Sequence, residues 1–321
     1  MRRGGGPRFL LDSATPFGQR IGVRACVIFN PTARGEKAKR FRRHLDAFGS
    51  QCSLKLTATA GDARRLAKEA VLEENDTVVA AGGDGTLNEV LNGIGDAPDG
   101  FQRVRLGILP LGTVNVFARE LGIPTRLDLA WKVITDGTER RIDLPCVSHQ
   151  VAGRQSHRYF AQLAGAGLDA RAIELVKWQV KKRIGPLAYI LAGLHAVMNT
   201  PTKIQALAGG GNSAEGELVL VGNGRLYGGQ FVIFPQADLA DGLLEICVVP
   251  RVNWLTLTRC APQLLVRGRL PASMTKVFRT NSLTLSSPSL TPLEVDGELI
   301  GHLPAQFSLE TSRLRVAIPR P

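Results

Sequence analysis

Apolar and polar residues follow two successive patterns along this chain. From Arg24 to about Arg141, short apolar runs alternate with segments in which apolar residues recur every three or four positions. The apolar runs are "RACVIFN", "SLKLTAT", "DTVVAAGG" and "RLGILPLG". The periodic segments are "EKAKRFRRHLDAF", "DARRLAKEAVLEE", "GTLNEVLNGI", "NVFARELG" and "LDLAWKVITDG". Strand-helix alternation of this kind predicts a parallel sheet that is covered by helices on both faces.

Two of the predicted helices have a clear buried face. In the helix after "GGDG", the apolar positions at i, i+3, i+4 and i+7 are Leu87, Val90, Leu91 and Ile94. In the preceding helix the inward positions are Ala63, Leu66, Ala67, Ala70 and Val71. Asp62 stands directly before that helix, so we expect it to be the N-cap.

The second pattern begins after a boundary near residues 141–147. Short strand-like runs separated by turn residues fill the chain from Lys203 to Pro319, among them "GELVLVGNG", "LLEICVV", "SLTLSS", "PLEVDGELIG" and "SRLRVAIP". Such runs predict a mainly antiparallel β-sandwich. Two helical stretches come first, "ARAIELVKWQVKKRIG" and "PLAYILAGLHAVMN". We therefore expect an α/β domain over residues 24–145, a sandwich domain over residues 146–321 and a disordered tail over residues 1–23.

Composition narrows the partners of the protein. The chain has 40 Lys and Arg against 28 Asp and Glu, a net charge of +12, which favours an anionic partner such as a nucleotide, a nucleic acid or an acidic membrane surface. General solubility is the simpler explanation of this charge. The N-terminal tail lacks a long apolar core, so it is not a signal peptide, and "LAYILAGLHAVM" is too short to span a bilayer. Five separated cysteines indicate free, mostly core-packed thiols of a cytosolic protein.

Four turns follow four predicted strands of the first half. They are "NPTARG", "TAGDA", "GGDGTLNE" and "PLGTVN". Strands of a parallel sheet end at the same edge, and helix N-termini and glycine turns at that edge bind anions through backbone N–H groups. No Gly-Lys-Ser/Thr follows, so these turns do not form a Walker P-loop. The pattern predicts a phosphate cradle of another type.

Acidic residues supply the candidate chemistry, and each has a simpler explanation. Asp84 is the carboxylate of the central glycine loop; it could organise Mg²⁺, act as a base or cap the following helix. Asp296 and Glu298 of "EVDGE" would share one face of a strand and could accept a proton, or they could lie exposed in a hairpin. Asp238 and Asp241 of "ADLADGLLE" could form a turn or a small cation site.

A basic segment follows the domain boundary. "KWQVKKRIG" carries Lys177, Lys181, Lys182 and Arg183 around an aromatic residue. A basic helix with an aromatic side chain is typical of an anionic membrane interface, although a solvated helix face has the same pattern.

These motifs, in this order, resemble the diacylglycerol kinase catalytic domain family. The family includes bacterial diacylglycerol kinases and YegS-like lipid kinases, with sphingosine kinases and NAD kinases as distant relations. "GGDGT" is shared with NAD kinases, whereas "AGAGLDA", "VGNGRLYGGQF", "ADLADGLLE" and "VDGE" are not. The resemblance covers roughly residues 24–318.

The resemblance implies a fold and a set of site residues. It implies an ATP-binding α/β domain and a β-sandwich domain with the active site between them, and C-terminal strands that return toward the first domain. The implied nucleotide-binding residues are Asn30, Pro31, Thr59, Gly82, Gly83, Asp84, Gly85, Thr86, Leu87, Asn88, Glu89, Gly112, Thr113 and Asn115. The implied proton acceptor is Glu298, with Asp84 as a second catalytic residue. Asp238, Asp241 and Leu243 match a structural Mg²⁺ site, the first and third through carbonyl oxygens.

One position departs from the family pattern. Well-studied members have an acid that helps to organise the catalytic Mg²⁺ where this chain has Val116 in "GTVNVFARE". Valine has no oxygen for a metal, so the departure concerns the catalytic metal network and not the fold.

The resemblance implies a lipid kinase that uses ATP and Mg²⁺. Its partner would be a lipid substrate in an anionic leaflet, with the protein cytoplasmic and peripheral to the inner face of the membrane, and nucleic acid would not be a partner. Two alternatives stay open: a kinase of a soluble acceptor such as NAD, and a non-catalytic nucleotide or lipid binder, which Val116 would explain. The sequence leaves the acceptor lipid and the oligomeric state open, a homodimer included.

Overall fold

The computed structural model describes residues 24–31, 41, 52–151, 153–168, 170, 202–229, 231–267 and 269–320. Several predicted elements lie outside the described residues apart from Phe41 and Ala170. They are the tail over residues 1–23, the first predicted helix "EKAKRFRRHLDAF" and the two helical stretches "ARAIELVKWQVKKRIG" and "PLAYILAGLHAVMN".

The first half is an α/β unit whose strands run parallel. Its strands are β1 Ala25–Phe29, β2 Ser53–Leu56, β3 Thr77–Gly82 and β4 Arg105–Pro110, and they pair in the order β2-β1-β3-β4. Its helices are α1 Asp62–Leu72, α2 Asp84–Gly95, α3 Gly100–Arg103, α4 Val116–Glu120 and α5 Leu127–Asp136. β1 and β3 are buried along their whole length, because helices cover both faces of a parallel sheet.

The predicted buried faces of α1 and α2 are confirmed, since every inward position predicted in these two helices is buried. The predicted cap of α1 is wrong. Asp62 is the first residue of the helix and its carboxylate accepts the N–H groups of Ala58 and Thr59, both at 2.8 Å. The first turn is capped by Glu89 of α2, which accepts the N–H groups of Gly61 (2.9 Å) and Ala63 (3.0 Å). A carboxylate on a neighbouring helix thus meets the exposed N–H groups that a local cap usually meets.

The second half is mainly antiparallel. Its strands are β5 Thr138–Val151, β6 Arg154–Tyr159, β7 Leu163–Gly167, β8 Ile204–Ala208, β9 Ser213–Gly216, β10 Leu218–Gly222, β11 Leu226–Tyr227, β12 Phe231–Val232, β13 Leu244–Val249, β14 Lys276–Thr280, β15 Ser282–Ser286, β16 Pro292–Val295 and β17 Glu298–Ile318. Helix α6 Trp254–Arg267 and a 3₁₀ turn at Ala272–Met274 lie between β13 and β14. One path of the sheet runs β14-β13-β10-β7-β16-β17, and β15, β8 and β9 extend from β17 on a branch. The predicted fold class, an α/β domain followed by a mainly antiparallel sandwich, is confirmed.

One long strand joins the two halves. The runs "PLEVDGELIG" and "SRLRVAIP", predicted as separate elements, both contribute to β17, which continues from Glu298 to Ile318. Shifts of register at two places let this strand bend along its antiparallel partner β5. At its far end β17 pairs in parallel with β4 through Val316 and Leu106. The last strand therefore extends the parallel sheet of the first half.

Apolar packing follows the same division. One cluster lies under the helices of the first half and includes Trp131 and Phe29. A second fills the sandwich, where the rings of Phe160 and Phe307 meet edge to face with centroids 6.2 Å apart. Four of the five cysteines are buried, and none of the five forms a disulfide. Within the described part of the chain, no helix combines the length and the apolar character that crossing a bilayer requires.

Candidate active site

Three loops meet at the carboxyl edge of the parallel sheet. They follow β1, β3 and β4, and they carry Asn30, Gly83 and Gly112 respectively. The Asn30 amide donates to Thr86 Oγ1 at 3.4 Å. A Cβ atom added to Gly112 would lie 2.5 Å from the Cα of Gly83, so the second and third loops touch backbone to backbone. A larger residue at position 112 would separate them.

Asn115 closes the loop that follows β4. Its backbone is left-handed, with φ 54°, a conformation that asparagine tolerates better than most residues. Its side chain accepts the N–H group of Gly112 at 3.0 Å and donates to the carbonyl of Gly112 at 2.8 Å. Asn115 is buried and holds this loop together.

Asp84 joins two of the loops through its carboxylate. Its oxygens accept the backbone N–H groups of Asn115 (3.0 Å) and Val116 (2.8 Å), so Asp84 caps α4 rather than α2, in which it lies. Burial raises the pKa of Asp84, the nearby Asp296 raises it further, and the backbone donors oppose both effects. The Asp84 carboxylate therefore links the loop after β3 to the loop after β4.

The helix that begins at Asp84 uses most of its first side chains for protein contacts. Thr86 and Leu87 are buried. Asn88 is buried too and points to the second half, where it donates to Asp296 Oδ2 at 2.8 Å. Glu89 caps the neighbouring helix α1. A nucleotide contact by this segment, as predicted, would have to involve mainly its backbone, because its side chains contact other parts of the protein.

The remaining predicted nucleotide residues surround the loops. Thr59 and Thr113 are exposed, and Pro31 is half-buried in the turn after β1. Gly82 ends β3, and a Cβ atom there would lie 2.4 Å from Thr86 Oγ1. The structure thus brings the first-half residues to one edge of the sheet, while their contact with a nucleotide stays a prediction.

Asp296 and Glu298 do not share one strand face, and the expectation that they do is wrong. Asp296 (φ 46°) and Gly297 (φ 85°) form the two-residue turn between β16 and β17, and positive φ at both central residues is typical of a tight hairpin. The expected alternative is confirmed for the hairpin but wrong for the exposure of its two acids, which are both half-buried. The Asp296 carboxylate accepts the N–H groups of Ala161 (2.8 Å) and Gln162 (3.0 Å) as well as the Asn88 amide.

Glu298 lies against the glycine loop, at the junction of the two halves where the resemblance places the active-site cleft. Its Oε2 accepts Arg158 Nη2 at 2.8 Å, and its Oε1 is 2.8 Å from the position that a Cβ atom on Gly85 would occupy. Burial raises the pKa of Glu298, Arg158 lowers it, and the carboxylates of Glu89 and Asp296 raise it. A carboxylate of the second half with a raised pKa therefore faces the N-terminus of α2, where a phosphate would be expected to bind.

The loop predicted to hold a structural cation is occupied by arginine side chains. Asp238 Oδ1 accepts Arg140 Nη2 at 2.7 Å. One oxygen of Asp241 accepts the N–H group of Leu243 at 3.0 Å, and the other pairs with Arg279. Among the residues that the structure describes, no three His, Cys, Asp or Glu side chains converge as metal ligands would. As arranged, this loop does not fit a divalent cation unless Arg279 moves, and the metal assignment stays a prediction.

Several residues that shape the cleft carry no sequence signal. Arg158, which pairs with Glu298, lies in a strand with ordinary alternation. Asn92 accepts the N–H group of Tyr159 at 2.9 Å and fixes the end of that strand to α2. Glu120 accepts the N–H groups of Arg225 and Leu226 at 3.0 and 2.9 Å and so ties α4 to the second half. These residues contact partners far away in the sequence, so no local pattern could have found them.

The predicted membrane-interface residues lie outside the described residues. They are Lys177, Lys181, Lys182 and Arg183. Their role stays a prediction.

Comparison with known proteins gives consistent results over nearly the whole chain. The family model of the diacylglycerol kinase catalytic domain matches residues 24–147, and that of the YegS C-terminal NAD kinase beta sandwich-like domain matches residues 162–318. The diacylglycerol kinase of Staphylococcus carnosus is 32% identical over 304 residues, which cover 92% of this chain and 95% of that protein. The diacylglycerol kinase of Bacillus subtilis is 32% identical over 309 residues, which cover 92% of this chain and 97% of that protein.

Solved structures show the same fold. A putative diacylglycerol kinase from Bacillus anthracis superposes with a TM-score of 0.73 and 25% identity, covering 94% of this chain and 99% of that one. Yeast NADH kinase in complex with NADH superposes with a TM-score of 0.50 and 12% identity, covering 92% and 82%. At that identity the second likeness concerns the fold alone.

Proposed function

Because this chain belongs to the diacylglycerol kinase catalytic domain family, we propose that it transfers the γ-phosphoryl group of ATP to a hydroxyl group of a diacylglycerol-like membrane lipid. The observation that supports this proposal best is the position of Glu298. Its carboxylate comes from the second half and lies against Gly85, at the start of α2. A carboxylate that could act as a base thus contacts a helix N-terminus, a feature that commonly binds anions.

The glycine loops are the proposed nucleotide site. Gly83 and Gly112 pack without side chains between them, so the two loops meet backbone to backbone at the sheet edge. The N-terminal end of α2 adds the positive end of its helix dipole. Glycine turns and helix N-termini can bind phosphate without a lysine, and the first half carries both features.

In the proposed reaction, the acceptor hydroxyl attacks the γ-phosphorus while Glu298 takes its proton. A new O–P bond forms, the bond from the γ-phosphorus to the bridging oxygen breaks, and ADP leaves with the electron pair. Phosphoryl transfer has a loose transition state, so the protein acts mainly by positioning and by neutralising charge. Without a base, a lipid hydroxyl at neutral pH is a weak nucleophile.

Mg²⁺ would neutralise the phosphate oxygens in this reaction. Kinase Mg²⁺ ions are held largely by substrate phosphates and water, with one or two carboxylates. Asp84 is the carboxylate at the glycine loops, and its oxygens keep acceptor capacity beyond the N–H groups of Asn115 and Val116. Asp84 therefore fits this role better than Val116, which has no oxygen in its side chain.

A phosphotransfer assay tests the proposal. Purified protein would receive radiolabelled ATP, Mg²⁺ and one acceptor at a time: diacylglycerol in anionic mixed micelles, or NAD in solution. We expect labelled phosphatidic acid from the first acceptor and no labelled product from the second. Label in NAD would instead favour a kinase of a soluble acceptor.

The Glu298→Gln variant tests the proton acceptor. Glutamine keeps the size of the side chain but cannot accept the proton, so we expect kcat to fall by about 10²–10⁴-fold. ATP affinity, measured by calorimetry, should stay the same because the glycine loops are untouched. Full kcat in this variant would make Asp84 the better candidate. ATP binding by the parent without turnover on any acceptor would support the non-catalytic alternative.

A further inference from the structure

Arg158 reaches Glu298 from a different part of the chain. It lies in β6, opposite Val147 of β5, and its Nη2 atom donates to Glu298 Oε2 at 2.8 Å. The side chain of Arg158 is 17% exposed and that of Glu298 is 37% exposed. Since an arginine is seldom buried this far without a role for its charge, the contact calls for an explanation.

The other charged or titratable groups near Glu298 do not replace Arg158. Glu89 of α2 and Asp296 of the hairpin turn are both carboxylates, and each raises the pKa of Glu298. His149 of β5 is buried and its Nε2–H group donates to the carbonyl of Ile300 at 3.0 Å.

The hydrogen bonds of the two histidines on that side go to partners other than Glu298. Burial lowers the pKa of His149, the hydrogen bond to Ile300 opposes this effect, and the nearby Arg158 lowers the pKa further, so the surroundings of His149 favour its neutral form. His157 lies exposed on β6 and bonds to Ser148 at 2.8 Å. Of the groups described here, Arg158 is the cation in contact with the Glu298 carboxylate.

The two oxygens of Glu298 have different surroundings. Oε2 is held by Arg158, whereas Oε1 faces Gly85 at the start of α2. Resting on the proposed function, we propose that Arg158 is a positioning residue, which keeps Glu298 ionised and turns Oε1 toward the glycine loop to receive the acceptor proton. The hydroxyl proton then moves to Oε1 as the hydroxyl oxygen bonds to phosphorus, and Arg158 stays protonated throughout.

The proposed role of Arg158 predicts how kcat depends on pH. A general base works only when it is ionised, so kcat should fall as the pH falls through the pKa of Glu298. Burial raises that pKa, and Arg158 opposes the rise. Without the guanidinium, burial and the carboxylates of Glu89 and Asp296 would all raise the pKa of Glu298. The acidic limb of the pH profile should therefore move to higher pH.

The experiment compares pH profiles of kcat for the parent, Arg158→Gln and Arg158→Lys. In Arg158→Gln we expect the acidic limb at higher pH. At pH values below the limb, the kcat of Arg158→Gln should approach that of Glu298→Gln. At pH values above the limb, part of the lost kcat should be recovered. Arg158→Lys keeps the charge and should hold the limb near that of the parent. Arg154→Gln is the matched control, because Arg154 is an exposed arginine of the same strand whose loss should not move the limb.

Two results would overturn the proposal. One is an Arg158→Gln profile with its limb at the parental pH, and the other is an equal loss of rate at every pH, which would point to a structural role. Melting curves recorded alongside would show whether the variants are folded.

A second readout separates this proposal from the proposed function. Titration of ¹³C-glutamate-labelled protein by NMR, with the Glu298 signal assigned from its absence in Glu298→Gln, follows ionisation without any acceptor. A shift of that signal's titration to higher pH in Arg158→Gln would support the role of Arg158 even if no lipid were phosphorylated. An unshifted titration would refute it even if the lipid kinase activity were established.

Discussion

The hairpin turn at Asp296 makes the sharpest prediction about stability. Its carboxylate accepts hydrogen bonds from the side chain of Asn88 (2.8 Å) and from the backbone N–H groups of Ala161, Gln162 and Leu163 (2.8, 3.0 and 3.2 Å). Two of these bonds reach each oxygen. Asp296→Asn would keep the side-chain shape and the left-handed backbone, but it replaces one accepting oxygen with an NH₂ group.

The cost follows from the number of donors that lose their acceptor. Two N–H groups would face the new NH₂ group, and a donor left without a partner costs about 1–3 kcal/mol. Because these contacts are only part-buried, water relieves some of that cost, and we expect a loss of about 2–4 kcal/mol in the free energy of unfolding. At about 2.1 cal/mol/K of unfolding entropy per residue, that loss corresponds to a fall in Tm of roughly 3–6 °C for a chain of 321 residues.

Thermal unfolding followed by circular dichroism would measure the effect. Asp99→Asn is the matched control: Asp99 also has a positive φ, 54°, but it is exposed and its side chain makes no cap hydrogen bond. That control should stay within about 0.5 kcal/mol of the parent. If both variants melted at the same temperature, the hydrogen bonds to the Asp296 carboxylate would not be what holds the hairpin in place.

Two further predictions concern ligands. A Cβ atom on Gly83 would meet its nearest protein neighbour at 3.4 Å, so Gly83→Val should fold yet show no ATP binding in calorimetry. The control Gly210→Val, at a position in open space, should bind ATP normally. Unchanged ATP affinity in Gly83→Val would rule out the proposed phosphate site. Because Arg279 pairs with Asp241, a cation there must displace it, and Mg²⁺ should raise the Tm of Arg279→Met more than that of the parent. Equal responses of the two proteins to Mg²⁺ and to chelator would count against a cation at Asp241.

The sequence alone was sufficient for the elements whose pattern is local. The inward positions of α1 and α2 follow from the spacing of apolar residues, because a helix places residues three and four apart on one face. The four turns could be assigned to one sheet edge, because strands of a parallel sheet all end on the same side. The order of those turns also carried the resemblance to the family, and the comparisons confirmed it.

Local patterns failed where one element serves both halves. Polar residues separate the runs around Leu293 and Arg315, so the pattern predicts two independent strands, but β17 continues from Glu298 to Ile318. The polar residues between the two runs lie where β17 shifts its register against β5. A strand of this length is specified by its partners along the way, and those partners are distant in sequence.

The chemistry of the cleft was decided by tertiary contacts. The sequence identified Asp84, Asp296 and Glu298 as candidates, but each had several local explanations. Folding brings Asn88 to Asp296 across 208 positions and Arg158 to Glu298 across 140, and it turns Asp84 toward the backbone of a helix other than its own. The sequence determined which residue types stand at the ends of the elements, because periodicity and turn chemistry act over a few residues. Only the tertiary structure decided that Asp84 caps a helix, that Asp296 accepts the hydrogen bonds that hold a turn, and that Glu298 lies against the glycine loop. Hydrogen bonds and charge pairs depend on distances in space, and the pattern along the chain does not encode those distances.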